Sequence, residues 1–487
     1  MLSKSSYLKG LQCPKYLWIY CNKRDLIPEP SEAQKYLFSQ GDLVESLAES
    51  LFPKGINVPS DDFKQNIEKT KELLDEKKTL FQAAFLVDDL YARADVLRPV
   101  KNKWDIIEVK SSTEVKDVHV DDLAFQKYVY EKAGLKINKC FLMHVNNEYV
   151  RKGKINPKKL FVIEEVDVSE ASVNISERIA DMLKIISGKK CPTVKISPEC
   201  EKPYECPLKS SCFSFLPPDN VLELHGIYKK AFEFIDSGVL SLSDIPEEIK
   251  LRPNNYIQQE CVRTGKPHVD KAKIKSFLDG LNYPLYYFDF ESFGTAVPLF
   301  DGVRPYQQIT FQFSLHVQAK KNSKCEHISF LASGTDDPRK ACLDAMKKHL
   351  GSKGDIIAFC AGFEKARIKE LAEHFPKEKK WAKAILDRFV DLAVPFRKFY
   401  YYNPKQKGSA SLKDVLPALT GKSYSEMDIA EGGTASRMFL YSTHGNPDGS
   451  KASASEVKKI RKDLEKYCEL DTLGMVWIVE KLWKIIK

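Results

Sequence analysis

The sequence predicts a mixed α/β protein of two domains. Three observations carry this expectation. Runs of alternating polarity, as in residues 104–110 and 283–292, are interleaved with runs at helical spacing, as in 120–133 and 337–350. The strand-and-helix pattern restarts near Tyr283, after a stretch punctuated by Pro246, Pro253 and Pro267. The chain of 487 residues, 43% hydrophobic and 11% aromatic, has enough apolar surface for more than one core. The expected organisation is a first domain over 1–218, a helical connector over 219–280 and a second domain over 281–487.

Taken in order, the first domain opens with a helix near 31–51 and a charged helix near 62–77. Strand-like runs follow at 85–97 and 104–110, then a helix at 120–133 and an apolar strand at 139–144. Three cysteines and several prolines close the region, from Cys200 to Pro218. The second domain reads as strands at 283–292 and 307–317, a helix at 337–350, a strand at 355–360, and helices at 364–374 and 412–419. A polar loop at 444–455 precedes a last helix at 456–486. This alternation fits a mixed sheet flanked by helices.

Composition narrows the function classes. Lys and Arg number 76 against 67 Asp and Glu, a net charge of +9 that permits contact with a polyanion. The opening MLSKSSYLKGLQCPKYLW lacks a long apolar run ending in small residues, so no signal peptide is expected. No run of about 18 apolar residues predicts a membrane span. Cytoplasmic location is the expectation, and there the twelve cysteines read as metal ligands before disulfides.

The first chemical grouping is Arg93-Ala94-Asp95-Val96-Leu97, followed after a turn by Trp104-Asp105-Ile106-Ile107-Glu108-Val109-Lys110. Side chains alternate along a strand, so Glu108 and Lys110 share a face opposite Ile107 and Val109. Asp95 on a neighbouring strand brings a second carboxylate within reach. Two carboxylates can hold Mg²⁺ or Mn²⁺ with open water positions, and a lysine beside them can orient a nucleophile or offset phosphate charge. A solvated Glu–Lys pair is the bland alternative for Glu-x-Lys alone. Ser111-Ser112-Thr113 and a helix carrying Gln126 and Tyr130 at i, i+4 shift the balance. The set resembles the PD-(D/E)XK nuclease superfamily, in particular its RecB-like branch with a Gln-x-x-x-Tyr helix. That resemblance implies a catalytic group of Asp95, Glu108, Lys110, Gln126 and Tyr130. It also implies a metal ligand at Glu45, in Gly41-Asp42-Leu43-Val44-Glu45, where the branch often carries a histidine.

Cys200, Cys206 and Cys212 form a compact thiolate set, and Cys13 in Leu11-Gln12-Cys13-Pro14-Lys15 lies far upstream. Four cysteines split between the two ends of one domain resemble the iron–sulfur staple of the CRISPR-associated RecB-type exonucleases and AddB-type nucleases. The resemblance implies a [4Fe–4S] cluster. Tetrahedral Cys₄ zinc is the competing reading, with Cys191 as a substitute ligand.

The sharpest motif is Tyr286-Tyr287-Phe288-Asp289-Phe290-Glu291-Ser292-Phe293. Alternation puts Asp289 and Glu291 on one face, with Tyr286, Phe288 and Phe290 on the other. Downstream, Asp471 falls on the stripe Leu464, Cys468, Asp471, Met475, with Tyr467 four residues before it. Glu364 opens a helix whose inward stripe is Glu364, Ile368 and Leu371. Carboxylates on apolar stripes are costly unless something neutralises them; taken singly, each reads as a capped or solvent-edge acid. Together they resemble the DEDD exonuclease superfamily, with Tyr467-x3-Asp471 matching its tyrosine subgroup and Glu364 standing where aspartate is usual. Asp391, after an apolar strand, is a further candidate. The resemblance implies an RNase H-like fold, two metals held by Asp289, Glu291, Glu364 and Asp471, and removal of nucleotides from a 3′ end.

The combined layout resembles a bacterial family that fuses a RecB-like iron–sulfur nuclease to a DEDD exonuclease-like half, including Cys-Pro-Lys-Tyr-Leu-Trp at the start and Arg304-Pro305-Tyr306-Gln307-Gln308. The expectation is a DNA nuclease with two sites, acting in repair, recombination or defence. The alternatives are a nucleic-acid-binding adaptor with one or both centres decayed, and an RNA-processing exonuclease.

Overall fold

A computed structural model describes residues 1–59, 61–425 and 427–487. The chain forms two compact units, one comprising Met1–Ser214 and Thr295–Gln307, the other Phe215–Gly294 and Gln308–Lys487.

The first unit is built on a sheet in which Ile56–Asn57, Leu80–Val87, Leu90–Val100, Lys103–Lys110, Ile137–Val145 and Phe161–Glu165 lie side by side in that order. Leu2–Ser3 adds a parallel pairing with Leu90 and Tyr91. Leu80–Val87, Leu90–Val100 and Lys103–Lys110 run antiparallel to one another, whereas Ile56–Asn57 pairs parallel with Leu80–Val87, and Lys103–Lys110 parallel with Ile137–Val145. The parallel pair requires a crossover, and the helix Asp117–Lys132 supplies it. Side chains from the two faces of the sheet feed different cores. Ile106 and Leu142 pack with Leu123, Phe125 and Val129 of the crossover helix, while Ile107, Val109 and Met143 pack with Val44 and Ala48 of the helix Glu32–Glu49. The expected alternation around Glu108 is therefore realised.

The second unit has a five-stranded sheet ordered Cys325–Leu331, Ile309–Gln318, Leu285–Phe293, Ile356–Ala358, Phe389–Asp391. The first three are antiparallel, and the last two run parallel to Leu285–Phe293. One face packs through Phe288, Phe290 and Phe313 against Cys342, Leu343 and Met346 of the helix Arg339–His349 and Ile368 and Leu371 of the helix Gly362–His374. Across the other lies the helix Ala454–Ile486, whose Leu464 carbonyl accepts from Gln312 Nε2 at 2.8 Å. The helix Gly432–Thr443 stacks Phe439 on Phe311, with ring centroids 4.0 Å apart.

Three expectations change. Residues 85–97 are not one strand: Asp88 and Asp89 both take positive φ, 44° and 61°, and form a tight hairpin turn between Leu80–Val87 and Leu90–Val100. The stretch 219–280 belongs to the second unit and carries the helices Tyr228–Asp236, Pro253–Thr264 and Lys271–Asp279, with a buried cluster of Val221, Leu224, Phe234 and Ile245. Pro253 does not break a helix but begins one, where its missing N–H costs nothing. The helix Gly432–Thr443 and the edge strand Cys325–Leu331 had no counterpart in the sequence reading. Gly-Gly and Ser/Thr positions weaken the first, and the second lies at a sheet edge with none of its residues fully buried. Among the described residues, no helix is long and apolar enough to cross a membrane.

Candidate functional site

The second unit gathers its acids around one cavity of about 500 Å³, lined by Asp289, Glu291, Glu364, Tyr467 and Asp471 among others. Asp289 and Glu291 come from the central strand, Glu364 from the first turn of Gly362–His374, and Tyr467 and Asp471 from the long C-terminal helix. The sequence-predicted set is thus brought together. Three helices begin at the cavity, since Ser411 and Leu412, Gly432 and Gly433, and Phe363 and Glu364 all line it. Their unpaired N–H groups and dipole ends favour a negative ligand. Gly432 lies beside Glu291, whose Oε2 a Cβ at that position would meet at 3.7 Å.

The electrostatics are those of crowded acids. Burial, then Asp471 and Glu291, push the Asp289 carboxyl well above its usual range; burial and Asp471 do the same to Glu291. Burial lifts Asp471 to about 7 against the opposing effects of the Tyr424 hydrogen bond and Lys413, and burial lifts Glu364 to about 7. Glu364 Oε2 is buried and has no hydrogen-bond partner among the described residues. Lys413 opposes the charge at Glu291 and Asp471 and Arg367 that at Glu364, but four crowded carboxyls form a set that divalent cations would satisfy.

Sequence reading missed three neighbours. Tyr424 donates to Asp471 Oδ1 at 2.5 Å, Lys413 Nζ lies 5.6 Å from the Tyr467 ring centroid, and Cys468 Sγ donates to Asp289 Oδ2 at 3.8 Å. Cys468 stood on the stripe already noted; Tyr424 and Lys413 carry no sequence signal and arrive by tertiary packing. Asp391 does not line the cavity. Its Oδ1 accepts from the backbone N–H groups of Cys360 (3.0 Å) and Ala393 (2.9 Å), and its Oδ2 pairs with Arg397. Cys360 has φ +64°, so Asp391 holds the strained turn that leads into the Glu364 helix.

In the first unit the register Val96 opposite Ile107 sets Asp95 and Glu108 on adjacent strands, and Asp95 Oδ2 accepts from Val109 N at 2.8 Å. Glu108 is fully buried and sits in a network. Its Oε1 accepts from Lys110 (2.5 Å) and Lys4 (2.7 Å), and its Oε2 accepts from Gln126 Nε2 (2.7 Å). Tyr130 donates to Gln126 Oε1 at 3.2 Å, so the expected Gln–Tyr helix acts on Glu108 as a relay. Burial would raise the Glu108 carboxyl, but Lys110 and Lys4 outweigh it and hold the group well below its usual range. Burial and the Glu108 charge raise Asp95 to about 7. Glu45 accepts from Gln82 Nε2, and burial with Glu49 and Glu108 raises its carboxyl.

Lys4 and Asp122 were not foreseen. Asp122 Oδ2 lies 3.2 Å from Lys110 Nζ and its Oδ1 accepts from Gln126 at 3.0 Å. The i, i+4, i+8 spacing of Asp122, Gln126 and Tyr130 could have revealed it; Lys4, 104 residues from Glu108, could not have been placed. Beside the network Lys110, Ser111, Ser112, Thr113, Lys116 and His119 line a cleft of about 350 Å³.

Cys13, Cys200, Cys206 and Cys212 line one small cavity, and all twelve cysteines are free. Cys13 stands between the helices Lys4–Gln12 and Pro14–Asn22, and Gln12 Nε2 donates to the carbonyls of Glu199 (3.1 Å) and Tyr204 (2.8 Å). The N-terminal helix is thereby tied to the cysteine loop. Burial, partly offset by a backbone hydrogen bond, pushes the Cys206 thiol to about 11, with Cys13, Cys200 and Cys212 adding to the rise. Cys191 feels burial first and then Cys13 and Cys212, so it stands near the same group.

Comparison with known proteins places residues 286–411 in a match to a domain of unknown function, DUF2779. That stretch contains Asp289, Glu291 and Glu364 and stops before Tyr467 and Asp471. The chain is also similar to the uncharacterized protein MG366 of Mycoplasma genitalium, 29% identical across 44% of this chain and 34% of that protein. Its homolog in Mycoplasma pneumoniae is 26% identical across 42% and 33%, and the uncharacterized protein UU173 of Ureaplasma parvum 28% across 41% and 31%. The matches span about a third of the length of these relatives. The solved structure of SSO0001 is 15% identical with a TM-score of 0.22, over 43% of this chain and 84% of that one.

Proposed function

We propose that the chain is a metal-dependent nuclease, acting on DNA, with a 3′-end-trimming centre in the second unit and a second phosphodiester-cleaving centre in the first. The observation that carries the reading is the cavity lined by Asp289, Glu291, Glu364 and Asp471, where the buried Glu364 Oε2 lacks a hydrogen-bond partner among the described residues. In chain order the sheet runs 3-2-1-4-5 with an antiparallel half and a parallel half, which supports an RNase H-like fold for this unit. The parallel crossover through Asp117–Lys132 supports a PD-(D/E)XK core for the other.

The four carboxylates would hold the Mg²⁺ or Mn²⁺ ions, which when bound activate water and offset charge on the leaving oxygen. The chain's own residues do the rest. Burial and Asp471 keep the Tyr467 phenol protonated, so it can donate to and orient a water. The helix starts at Phe363, Leu412 and Gly432 receive the phosphate backbone, and the 42%-exposed Phe363 offers a face on which a base can stack. In the first unit Glu45, Asp95 and Glu108 would hold a divalent cation, with Lys110 neutralising phosphate charge. Cys13, Cys200, Cys206 and Cys212 would hold an iron–sulfur cluster that braces the domain ends.

The test is digestion of 5′- and 3′-labelled single-stranded DNA, with RNA in parallel, in Mg²⁺ or Mn²⁺. Wild type should shorten DNA from its 3′ end, and Asp289→Ala should lose that activity while retaining cleavage by the first centre. Unchanged 3′ trimming by Asp289→Ala in a Lys110→Ala background would overturn the assignment.

A further inference from the structure

A second group of ligand-bearing side chains lies in the same unit, outside the carboxylate cavity. His316 and His327 face each other across the strands Ile309–Gln318 and Cys325–Leu331, as direct register partners. Their rings stack with centroids 4.5 Å apart. Glu469 of the long helix closes the group, and one ligand atom from each of the three lies within 4.8 Å of the others. Successive helix residues are rotated by about 100°, so Glu469 is turned away from its neighbour Cys468, which meets Asp289.

We infer that His316, His327 and Glu469 form a zinc-class metal site, separate from the carboxylate centre. The ring nitrogens are already divided as such a site requires. His316 Nδ1 lies 2.8 Å from Thr472 Oγ1, and His327 Nε2 lies 3.0 Å from Ser314 Oγ. Thr472 and Ser314 are themselves 2.7 Å apart, so one hydroxyl pair fixes both rings. This is how supporting groups orient ligating imidazoles, and it leaves the opposite nitrogen of each ring for a metal. His327 Nδ1 stands 3.7 Å from Glu469 Oε1.

The chemistry of the donors selects the ion. Two imidazoles and a carboxylate suit zinc, whereas Mg²⁺ prefers an all-oxygen shell. Ligand atoms about 2.0 Å from zinc in a tetrahedron lie about 3.3 Å apart. The group is slightly open relative to that, and the Glu469 side chain, 44% exposed, is free to swing inward. The same exposure gives the ion an entry path and leaves a coordination position for water. Without a metal, a half-exposed His–Glu pair at 3.7 Å would contribute little. Because Glu469 lies between Tyr467 and Asp471 in the sequence, zinc here would pin to the sheet the helix segment that presents both.

The experiment uses the full chain, stripped by chelator and re-equilibrated with Zn²⁺, alongside His327→Ala and Glu469→Gln, both solvent-edge changes that the core tolerates. Wild type should retain one more equivalent of zinc than either variant. Zinc should also slow hydrogen exchange in the segment 464–475 of wild type but of neither variant. With Co²⁺ as probe, the wild-type minus His327→Ala difference spectrum should show ligand-field bands without a thiolate-to-cobalt charge-transfer band. Equal zinc content in all three proteins would overturn the inference, as would a difference spectrum dominated by thiolate charge transfer, which would assign the ion to cysteines.

Discussion

Asp471→Asn isolates the cost of assembling the carboxylate cavity without its metal. Burial lifts the Asp471 carboxyl from 3.8 to about 7, a difference worth roughly 4 kcal/mol. The sign follows from proton linkage. A raised folded-state pKa means the folded protein binds more protons than the unfolded chain between about pH 4 and 7, so metal-free stability falls as pH rises through that window. Asparagine has the same shape, still accepts from Tyr424, and carries no charge. The variant should therefore match wild type near pH 4 and exceed it by about 2–4 kcal/mol near pH 8 in chelator. Hydrogen exchange of peptides from Ala454–Ile486 through a denaturant series reads this locally, which avoids assuming that both units unfold together. Adding Mn²⁺ should reverse the order, stabilising wild type and not the variant. Parallel pH profiles for the two proteins would refute the reasoning, because they would mean that the carboxyl does not feel its burial.

Lys110→Ala should abolish cleavage by the first centre without unfolding the unit, as measured on labelled DNA in an Asp289→Ala background and by circular dichroism. Lys4→Ala should weaken that centre less, by about tenfold, because Gln126 and Lys110 still hold Glu108. Tyr467→Phe should lower kcat for 3′ trimming about 10²-fold with little change in KM, since the ring remains and only the hydroxyl is lost. Cys206→Ser should bleach a brown preparation and lower its melting temperature; a colourless anaerobic wild type with stoichiometric zinc and no iron would instead point to a Cys₄ zinc site.

The parts of the fold that were legible in sequence are those whose signal is local. Phe288 to Glu291 alternates because one face is core and the other a cavity, so both the strand and its acids could be read. The Asp88-Asp89 turn was missed because aspartate enters a left-handed turn without the glycine that usually marks it. Pairings such as Lys4 with Glu108, or Tyr424 with Asp471, join residues far apart in the chain, and nothing at either end announces the partner. His316 and His327 were passed over for a related reason. Each sits singly in its own strand, and only the register of the sheet turns them into a pair.

The excursion Thr295–Gln307 between two strands of the second unit has a practical consequence for anyone wishing to dissect the molecule. Ala296 and Val297 fill part of a core shared with Val96 and Met143. Arg151 hydrogen-bonds the carbonyl of Pro298 at 2.8 Å, and its backbone exchanges bonds with Gly302 and Val303. A polypeptide ending at Ser214 would therefore lack a plug of its own interior, leaving an apolar cavity and several backbone groups unpaired. The complementary fragment would carry that plug with nothing to fill. No single cut in the chain separates the units cleanly; a faithful N-terminal piece would have to carry residues 295–307 on a grafted tether.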